Sequence, residues 1–326
     1  MKTARIVRIE EYGGPEKMTL ATVELPFPAV GEVQLRQTAI GFNYIDVYQR
    51  TGIYPLPLPT GLGHEAAGIV EAVGPGVDQF KLGDRVAYMN AGVGAYSDYR
   101  NVPADRLVSI PVGVSDEQAA ALLFKGITAQ YLLKKTHVVK PGEIILVHAA
   151  AGGVGQILCQ WAKGLGAFVI GTAGSEEKCA IAREAGCDIA VNYSEENWPA
   201  AILEASGGKK ANVVYDSVGK DTFLKSLDCT AQFGLVVLYG AASGPAPAIE
   251  PDLLNKKGCL FLTRPSVFPH NADPAIFSAN AADLFDAISS GLVTSHIGAR
   301  FTLDDIAAAH AAAESRATQG AIVIIP

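Results

Sequence analysis

The sequence is poor in cysteine and lacks the arrangements in which cysteines usually bind metal ions or form a disulfide framework. Its 326 residues include five cysteines, with no C-x-x-C pair and none before position 159. A structural zinc site needs about four closely spaced nitrogen or sulfur ligands. We therefore predict reduced thiols in apolar surroundings, at Cys159, Cys179, Cys187, Cys229 and Cys259.

Long apolar runs and an excess of positive charge are also missing. No stretch approaches the roughly 18 apolar residues of a membrane-spanning helix, and residues 1–5 lead into a strand-like segment rather than the apolar core of a signal peptide. The formal net charge of −7 argues against a broad binding surface for nucleic acid or anionic membranes. We expect a cytoplasmic protein without a membrane or nucleic-acid partner.

The pattern of the chain changes near residue 115. Before that point glycine and proline interrupt short apolar or alternating runs, which predicts an irregular, compact all-β unit. From 115 to 135 apolar residues recur at helical spacing, with Ser115 as a candidate N-cap. A chain of this length is expected to form two domains.

Strands and helices then alternate. Such alternation predicts a parallel sheet covered by helices on both faces, and thus an α/β fold with a doubly wound sheet. The tail adds helices at 274–290 and 303–315, and its last strand at 321–325 could complete the N-terminal β unit. The predicted strands of the sheet cover 143–148, 167–172, 189–192, 213–216, 235–239 and 259–263, and the predicted helices cover 155–165, 176–185, 198–205 and 221–231.

A glycine-rich turn follows the first of these strands. Ala150, Gly152 and Gly155 occupy the three fingerprint positions of a dinucleotide-binding turn, with alanine in place of the first glycine. A helix start has unpaired N–H groups and a partial positive charge, and therefore attracts a phosphate if small residues let the backbone approach. The turn predicts a pyrophosphate site, although an ordinary strand-to-helix turn has a similar pattern.

The end of the second strand indicates which dinucleotide binds. NAD-binding folds carry an Asp or Glu about 20 residues beyond the glycines, whereas residues 172–175 here contain no acid. Ser175 and Lys178 offer a hydroxyl and a cation to a 2′-phosphate, which favours NADPH. Two alternatives stay open: Glu176 or Glu177 acts as a displaced ribose ligand, or Lys178 is ordinary surface.

Several strings along the whole chain resemble one family. They are GFNYID (41–46), GLGHEAAG (61–68), GDRV (83–86), GAY (94–96), QWAK (160–163), YDSVG (215–219), TRPS (263–266) and ESRATQG (314–320). The chain resembles the zinc-independent quinone oxidoreductases, the zeta-crystallin branch of the medium-chain dehydrogenase/reductase superfamily.

The resemblance implies a fold and an assembly. It implies a Rossmann doubly wound parallel sheet, residues 126–265, inserted in a GroES-like β-rich domain made of residues 1–125 and 266–326. It also implies a homodimer, NADPH in the interdomain cleft, and reduction of a quinone substrate. The strand predicted at 259–263 would be an exposed sheet edge unless another chain covered it.

The resemblance also implies cofactor contacts. These fall on Asn43, Gly153, Val154, Ser175, Lys178, Tyr193, Ser217, Tyr239, Gly240, Leu262, Arg264 and Arg316. Gly152, Gly155 and Thr172, from the turn and the second strand, complete the predicted set. Core packing is the alternative interpretation of Tyr193, and a surface charge near a helix end is that of Arg316.

No metal site is predicted. His64 lies in a Gly-His-Glu context similar to a zinc-ligand motif of the alcohol-dehydrogenase relatives. The first ligand position of those relatives falls on Asn43, and the third falls near Phe124 and Lys125, where there is no Cys or His. A catalytic zinc needs about three protein ligands, so His64 is interpreted as a polar residue near the site.

The candidate catalytic residues are Asn43, Tyr48 and Tyr54. Together with Tyr44, these tyrosine rings could frame a planar acceptor while a hydroxyl donates to a quinone oxygen, although amphipathic packing explains them equally well. The sequence identifies no proton donor and does not distinguish hydride transfer from one-electron steps. Besides quinone reduction, we retain reduction of activated C=C bonds in enals or enones, and a structural or RNA-binding role of zeta-crystallin type.

Overall fold

The computed structural model describes residues 2–315 and 318–326. The strands are β1 (Lys2–Ile9), β2 (Met18–Leu25), β3 (Glu32–Gly41), β4 (Thr60–Gly61), β5 (Glu65–Val73), β6 (Arg85–Met89), β7 (Tyr99–Pro103), β8 (Leu107–Ser109), β9 (Ile144–Val147), β10 (Phe168–Ala173), β11 (Ile189–Asn192), β12 (Ala211–Asp216), β13 (Thr230–Leu238), β14 (Phe261–Thr263), β15 (Ile297–Thr302) and β16 (Ala321–Ile325).

The helices are α1 (Tyr44–Arg50), α2 (Asp116–Tyr131), α3 (Gly153–Gly164), α4 (Glu176–Glu184), α5 (Trp198–Ala205), α6 (Phe223–Cys229), α7 (Asp252–Lys256), α8 (Val267–His270), α9 (Pro274–Ser289) and α10 (Ile306–Glu314). In the described ranges no helix is both long enough and apolar enough to cross a membrane.

The chain forms two compact units. The β-rich unit consists of Met1–Ile127, His270–Ser289 and Ser295–Pro326, and the central unit consists of Thr128–Pro269 and Ser290–Thr294. Helix α2 begins at Asp116, and the predicted N-cap Ser115 accepts a 3.1 Å hydrogen bond from the Gln118 N–H through its hydroxyl. One π-helical turn, Leu132–Thr136, follows α2.

The β-rich unit contains two sheets. A small antiparallel sheet has the order β2-β1-β4, and a larger one has the order β15-β16-β3-β5-β6-β8 with β7 paired to β3. The C-terminal strand β16 pairs with β3 through Val323 opposite Gly41. This pairing confirms that the tail completes the N-terminal β unit. The core between these elements includes the fully buried Leu35, Ile40 and Val86.

The central unit is built on a parallel sheet with the order β11-β10-β9-β12-β13-β14. Counted from β9, this is the 3-2-1-4-5-6 order of a Rossmann fold, and the predicted α/β, doubly wound architecture is confirmed. Both neighbours of β9 pair with Ile145, namely Val169 of β10 and Val213 of β12. The crossover direction therefore reverses at β9, and ligands of such sheets bind at the carboxyl ends of these strands.

Several predicted boundaries in this unit were wrong, and the strand predicted at 235–239 covers Thr230–Leu238. The helix predicted to run to residue 231 ends at Cys229, because Thr230 already pairs with Ala211 in the sheet. The strand predicted from residue 259 begins at Phe261, because Cys259 has a φ of 55° and cannot continue an extended strand. A local apolar pattern does not reveal either change of backbone direction.

Candidate functional site

The glycine-rich turn of the central unit is tightly built. It joins β9 to α3, and the N-cap residue Gly152 provides no side-chain hydrogen bond to the helix start. A Cβ atom at Gly155 would lie 2.3 Å from the carbonyl oxygen of Ala149, so only glycine fits there. The α3 N–H groups and the partial positive charge of the helix start therefore provide a cradle for an anion.

A buried polar network that the sequence did not predict lies beneath this turn. The Thr172 hydroxyl is 2.7 Å from His148 Nδ1, and His148 Nε2 is 2.9 Å from Ser226 Oγ. Ser226 Oγ in turn donates to Asp216 Oδ2 over 2.9 Å, and all four side chains are fully buried. These contacts fit a neutral imidazole protonated at Nε2, and burial lowers the pKa of His148.

The network positions the predicted Thr172. Its hydroxyl is engaged with His148 inside the unit, while the Thr172 carbonyl accepts a 2.9 Å bond from the Ala150 N–H. Thr172 thus ties the end of β10 to the glycine-rich turn. The signal in the sequence was a polar residue directly after a buried strand, which applies to His148 after β9 and to Asp216 at the end of β12.

The residues predicted to select the dinucleotide lie together at the end of β10. Ser175 is the N-cap of α4 and accepts a 3.3 Å bond from the Lys178 N–H. A Cβ atom at Gly174 would lie 3.3 Å from the Tyr193 hydroxyl, so that ring lies beside the same loop. Tyr193 also packs against the central core. Both interpretations of Tyr193, packing and proximity to the loop, agree with its position.

The remaining predicted contacts of this unit follow β12, β13 and β14. A Cβ atom at Gly240 would lie 2.5 Å from the Ser217 carbonyl oxygen, and the Tyr239 N–H donates to Asp216 O over 2.8 Å. Arg264 Nη1 donates to Leu238 O over 2.8 Å, and Leu262 is 38% exposed. Since neighbouring parallel strands end at one edge, these residues line the carboxyl edge of the sheet. The predicted Arg316 lies outside the described residues.

In the β-rich unit, Asn43 is buried at the start of α1 and is held by a carboxylate. Its Nδ2 atom donates a 2.7 Å hydrogen bond to Glu65 Oε1. Glu65 is fully buried and also accepts from the Phe124 N–H at 2.6 Å and from Lys125 Nζ at 3.3 Å. Lys125 Nζ further donates to the Phe42 carbonyl over 2.8 Å. The sequence analysis noted Lys125 only because it is neither Cys nor His at a possible metal-ligand position, and it predicted no role for this lysine.

The tyrosines after Asn43 form the predicted cluster. The rings of Tyr44 and Tyr48 are 5.2 Å apart, as are those of Tyr48 and Tyr54, and both pairs meet edge to face. Tyr48 is 9% exposed and Tyr54 is 37% exposed. The cluster therefore has a buried side and an accessible side, and it presents phenol rings on the helix that Asn43 begins.

His64 is held inside the β-rich unit. Its Nε2 atom lies 2.9 Å from Gln49 Oε1, and its ring is 6.0 Å from that of Phe124. Burial lowers the pKa of His64 to about 4, so the imidazole is neutral near pH 7. In residues 2–315 and 318–326, no three His, Cys, Asp or Glu side chains lie together in a way that could hold a metal ion.

A second buried group behind α1 was also missed by sequence reasoning. The Tyr96 hydroxyl donates to Asp46 Oδ2 over 2.7 Å and lies 3.2 Å from His310 Nε2. Arg50, fully buried on α1, pairs with Glu314 Oε1 at 2.7 Å. Burial raises the pKa of Asp46 to about 7 and lowers that of His310 to about 3.

Two family models match the chain. Residues 29–112 match the alcohol dehydrogenase GroES-like domain, and residues 153–270 match the zinc-binding dehydrogenase model. The first match lies in the β-rich unit and the second covers most of the central unit.

Similar proteins match over full length. A quinone oxidoreductase of Pseudomonas aeruginosa is 47% identical, covering 99% of this chain and 100% of that protein. A 2-haloacrylate reductase of a Burkholderia species is 44% identical, covering 98% of each. The crystal structure of Escherichia coli quinone oxidoreductase complexed with NADPH superposes with a TM-score of 0.96 and 45% identity, covering 100% of both chains.

Proposed function

Because this chain belongs to the quinone oxidoreductase family of the medium-chain dehydrogenase/reductase superfamily, we propose that it oxidises NADPH and reduces quinones. The observation that carries the proposal is the carboxyl edge of the central sheet. At this edge, the glycine-rich turn precedes α3, and strand β10 ends without an Asp or Glu residue. Ser175 and Lys178 follow directly after β10. A carboxylate at that place would repel a 2′-phosphate, and its absence admits NADPH.

The residues present fit this cofactor. The cradle at Gly155 has no room for a side chain, and the start of α3 leaves its first N–H groups for a pyrophosphate. NADPH, when bound, supplies a hydride. We assign its binding in the central unit to Gly152, Gly153, Val154, Gly155, Thr172, Ser175, Lys178, Tyr193, Ser217, Tyr239, Gly240, Leu262 and Arg264.

The acceptor is assigned to the tyrosine cluster and Asn43. A quinone is flat and has two carbonyl oxygens, and aromatic side chains offer a flat apolar face together with a polar hydroxyl. Tyr54 is the most accessible of the cluster, and Tyr48 lies edge to face against it. In this assignment the rings hold the acceptor plane while a hydroxyl or the Asn43 amide orients one oxygen.

Steady-state NADPH oxidation with 1,4-benzoquinone and 1,4-naphthoquinone tests the function. We expect turnover with both quinones, and a Tyr54→Ala variant with a several-fold higher quinone KM and nearly unchanged NADPH KM. Tyr99→Phe, on β7 of the same unit, serves as the control. Saturable NADPH binding without turnover of any quinone would contradict the proposal.

Reduction of activated C=C bonds is the second candidate. It is favoured by the 44% identical relative that is a 2-haloacrylate reductase. Both reactions use the same donor and differ in the acceptor, so the same assay with 2-chloroacrylate and 2-cyclohexen-1-one separates them. A kcat/KM for either alkene above that for the quinones would assign the enzyme to this class.

We also propose a cytoplasmic homodimer. Strand β14 is the edge of the central sheet, and Phe261 on it is 62% exposed. An edge strand with exposed apolar side chains can pair along its outer side with the identical strand of a second chain. Light scattering after size exclusion should give the mass of two chains, and Phe261→Lys should give that of one. A monomeric wild-type protein would contradict this assembly.

A further inference from the structure

Asn43 is a candidate catalytic group whose side chain is held by the buried Glu65, and Glu65 is in turn paired with Lys125. Its Nδ2 atom and the Lys125 ammonium both donate to the same atom, Glu65 Oε1, at 2.7 and 3.3 Å. Asn43 is 5% exposed, Lys125 is 8% exposed and Glu65 is fully buried. The three side chains form one hydrogen-bonded unit inside the β-rich unit.

Glu65 is the acceptor in each of these hydrogen bonds. Oε2 accepts from the Phe124 N–H at 2.6 Å, and Oε1 accepts from the other two groups. A buried carboxylate is costly unless a cation and hydrogen bonds compensate it. Lys125 is the cation in contact with it, and its second bond, 2.8 Å to the Phe42 carbonyl, fixes the ammonium in place.

The chemistry of the acceptor determines the orientation of the Asn43 amide. A carboxylate only accepts hydrogen bonds, so the amide must turn its nitrogen toward Glu65 and its oxygen away. A glutamine or a protonated glutamic acid can donate as well as accept, and would allow the amide to flip. An amide that aligns a reactant must keep its donor nitrogen and its acceptor oxygen in fixed positions.

We propose that Lys125 and Glu65 are positioning residues for Asn43, with the ammonium compensating the buried carboxylate and the carboxylate fixing the amide in a single orientation. This inference rests on the proposed function, because it takes Asn43 as the group that meets the reactants. In this role Lys125 contributes to turnover through Glu65 and Asn43.

A double-mutant cycle tests the coupling. Lys125→Met and Glu65→Gln should each lower kcat for benzoquinone on the order of tenfold, with the NADPH KM changed by less than about twofold. In the Asn43→Ala background, Lys125→Met should lower kcat no further, because there is no amide left to orient. Lys125→Arg should restore most of the wild-type kcat, since arginine retains the cation.

Arg85→Met is the matched control. Arg85 pairs with Asp116 at the start of α2, the helix that also carries Lys125, and it is not one of the residues that contact Asn43 or Glu65. We expect its kcat to stay within about twofold of wild type. If Lys125→Met lowers kcat by the same factor with and without Asn43, or leaves it unchanged in the wild-type background, the positioning role is wrong.

A readout independent of turnover separates this inference from the proposed function. In protein labelled with ¹⁵N-asparagine, the Asn43 side-chain amide protons, assigned by their absence in Asn43→Ala, should exchange slowly with solvent in the wild-type protein. Lys125→Met and Glu65→Gln should accelerate that exchange. If the wild-type protein reduces no quinone, the proposed function fails and the exchange rates still decide whether Lys125 and Glu65 fix the amide; unchanged exchange overturns the inference.

Discussion

The Tyr96 hydroxyl donates a 2.7 Å hydrogen bond to Asp46 Oδ2, and both side chains are fully buried. The same carboxyl oxygen also accepts a 2.9 Å hydrogen bond from the backbone N–H of Asn43, the N-cap residue of helix α1. The start of the helix that carries the tyrosine cluster is therefore tied to the β-sheet core through one acidic side chain.

Tyr96→Phe should destabilise the protein more at pH 8 than at pH 5.5. Burial raises the pKa of Asp46 to about 7, so the group is mostly ionised at pH 8 and mostly protonated at pH 5.5. The Tyr96 hydroxyl stabilises the ionised form, and losing it should cost about 1–3 kcal/mol at pH 8. The measurement is urea unfolding of both proteins at the two pH values.

Tyr12→Phe is the control for this prediction. Its hydroxyl accepts from the Leu56 N–H and donates to the Leu56 carbonyl, both of which are neutral groups. Its stability loss should therefore be the same at both pH values. An equal loss at both values for Tyr96→Phe would contradict the interpretation of Asp46.

Acid should destabilise the fold through buried histidines. Burial lowers the pKa of His310 to about 3, below its ordinary value of 6.5. The unfolded chain then binds more protons than the folded one below pH 6.5, so the stability present at pH 7 is lost as the pH falls. At pH 5 this loss should be about 2 kcal/mol for His310.

Denaturant unfolding at pH 7 and pH 5 measures that loss. His310→Gln retains a polar group near Tyr96, but glutamine does not titrate. The loss of stability between pH 7 and pH 5 should therefore be about 2 kcal/mol smaller in this variant than in the wild-type protein. The same decline in both proteins would show that His310 is not responsible.

Lys178→Ala should weaken the use of NADPH far more than that of NADH. Loss of a charge-assisted bond to a 2′-phosphate should raise the NADPH KM by about tenfold or more, while NADH lacks that phosphate. Steady-state kinetics with both dinucleotides measures the ratio. Lys256→Ala, which removes an exposed lysine paired with Asp252, should change neither KM. Equal effects of Lys178→Ala on both dinucleotides would remove the phosphate assignment.

Gly155→Ala should weaken NADPH binding and destabilise the central unit. The new Cβ atom would lie 2.3 Å from the Ala149 carbonyl oxygen, and the start of α3 must move to relieve the overlap. We expect a loss of about 1–3 kcal/mol in the free energy of unfolding. Calorimetry of unfolding and fluorescence titration with NADPH measure the two effects.

Gly152→Ala is the comparison for that variant. At Gly152 the nearest atom to a new Cβ would be Ala149 O at 3.1 Å, so the protein can accept the methyl group with a smaller shift. Its stability should change less than that of Gly155→Ala. The close fit at Gly155 would be disproved if the two variants unfolded alike.

Much of the central unit was predictable because its elements are encoded locally. Helix α5, Trp198–Ala205, and strand β11, Ile189–Asn192, have the predicted bounds. The turn around Gly155 was predictable for the same reason, since a strand, small residues and a helix follow one another directly. The roles of the site residues remain predictions.

Polar contacts between distant segments were not predictable. His148 and Ser226 meet although they are 78 positions apart, and Lys125 meets Glu65 across 60 positions. No local period marks such pairs, because they depend on sheet register and helix packing. The sequence showed that Asn43 and Lys125 lie at or near positions where zinc-binding relatives carry metal ligands. It did not show that Lys125 forms an ion pair with Glu65.

The sequence by itself determined the alternation of strands and helices in the central unit, the glycine-rich turn and the absence of a carboxylate at residues 172–175, because period, glycine spacing and side-chain type are properties of short segments. Only the tertiary structure decided that Asn43 shares the Glu65 carboxylate with Lys125 and that Asp46, Tyr96 and His310 are buried together. Those arrangements arise when packing removes water from groups that must then bond to one another.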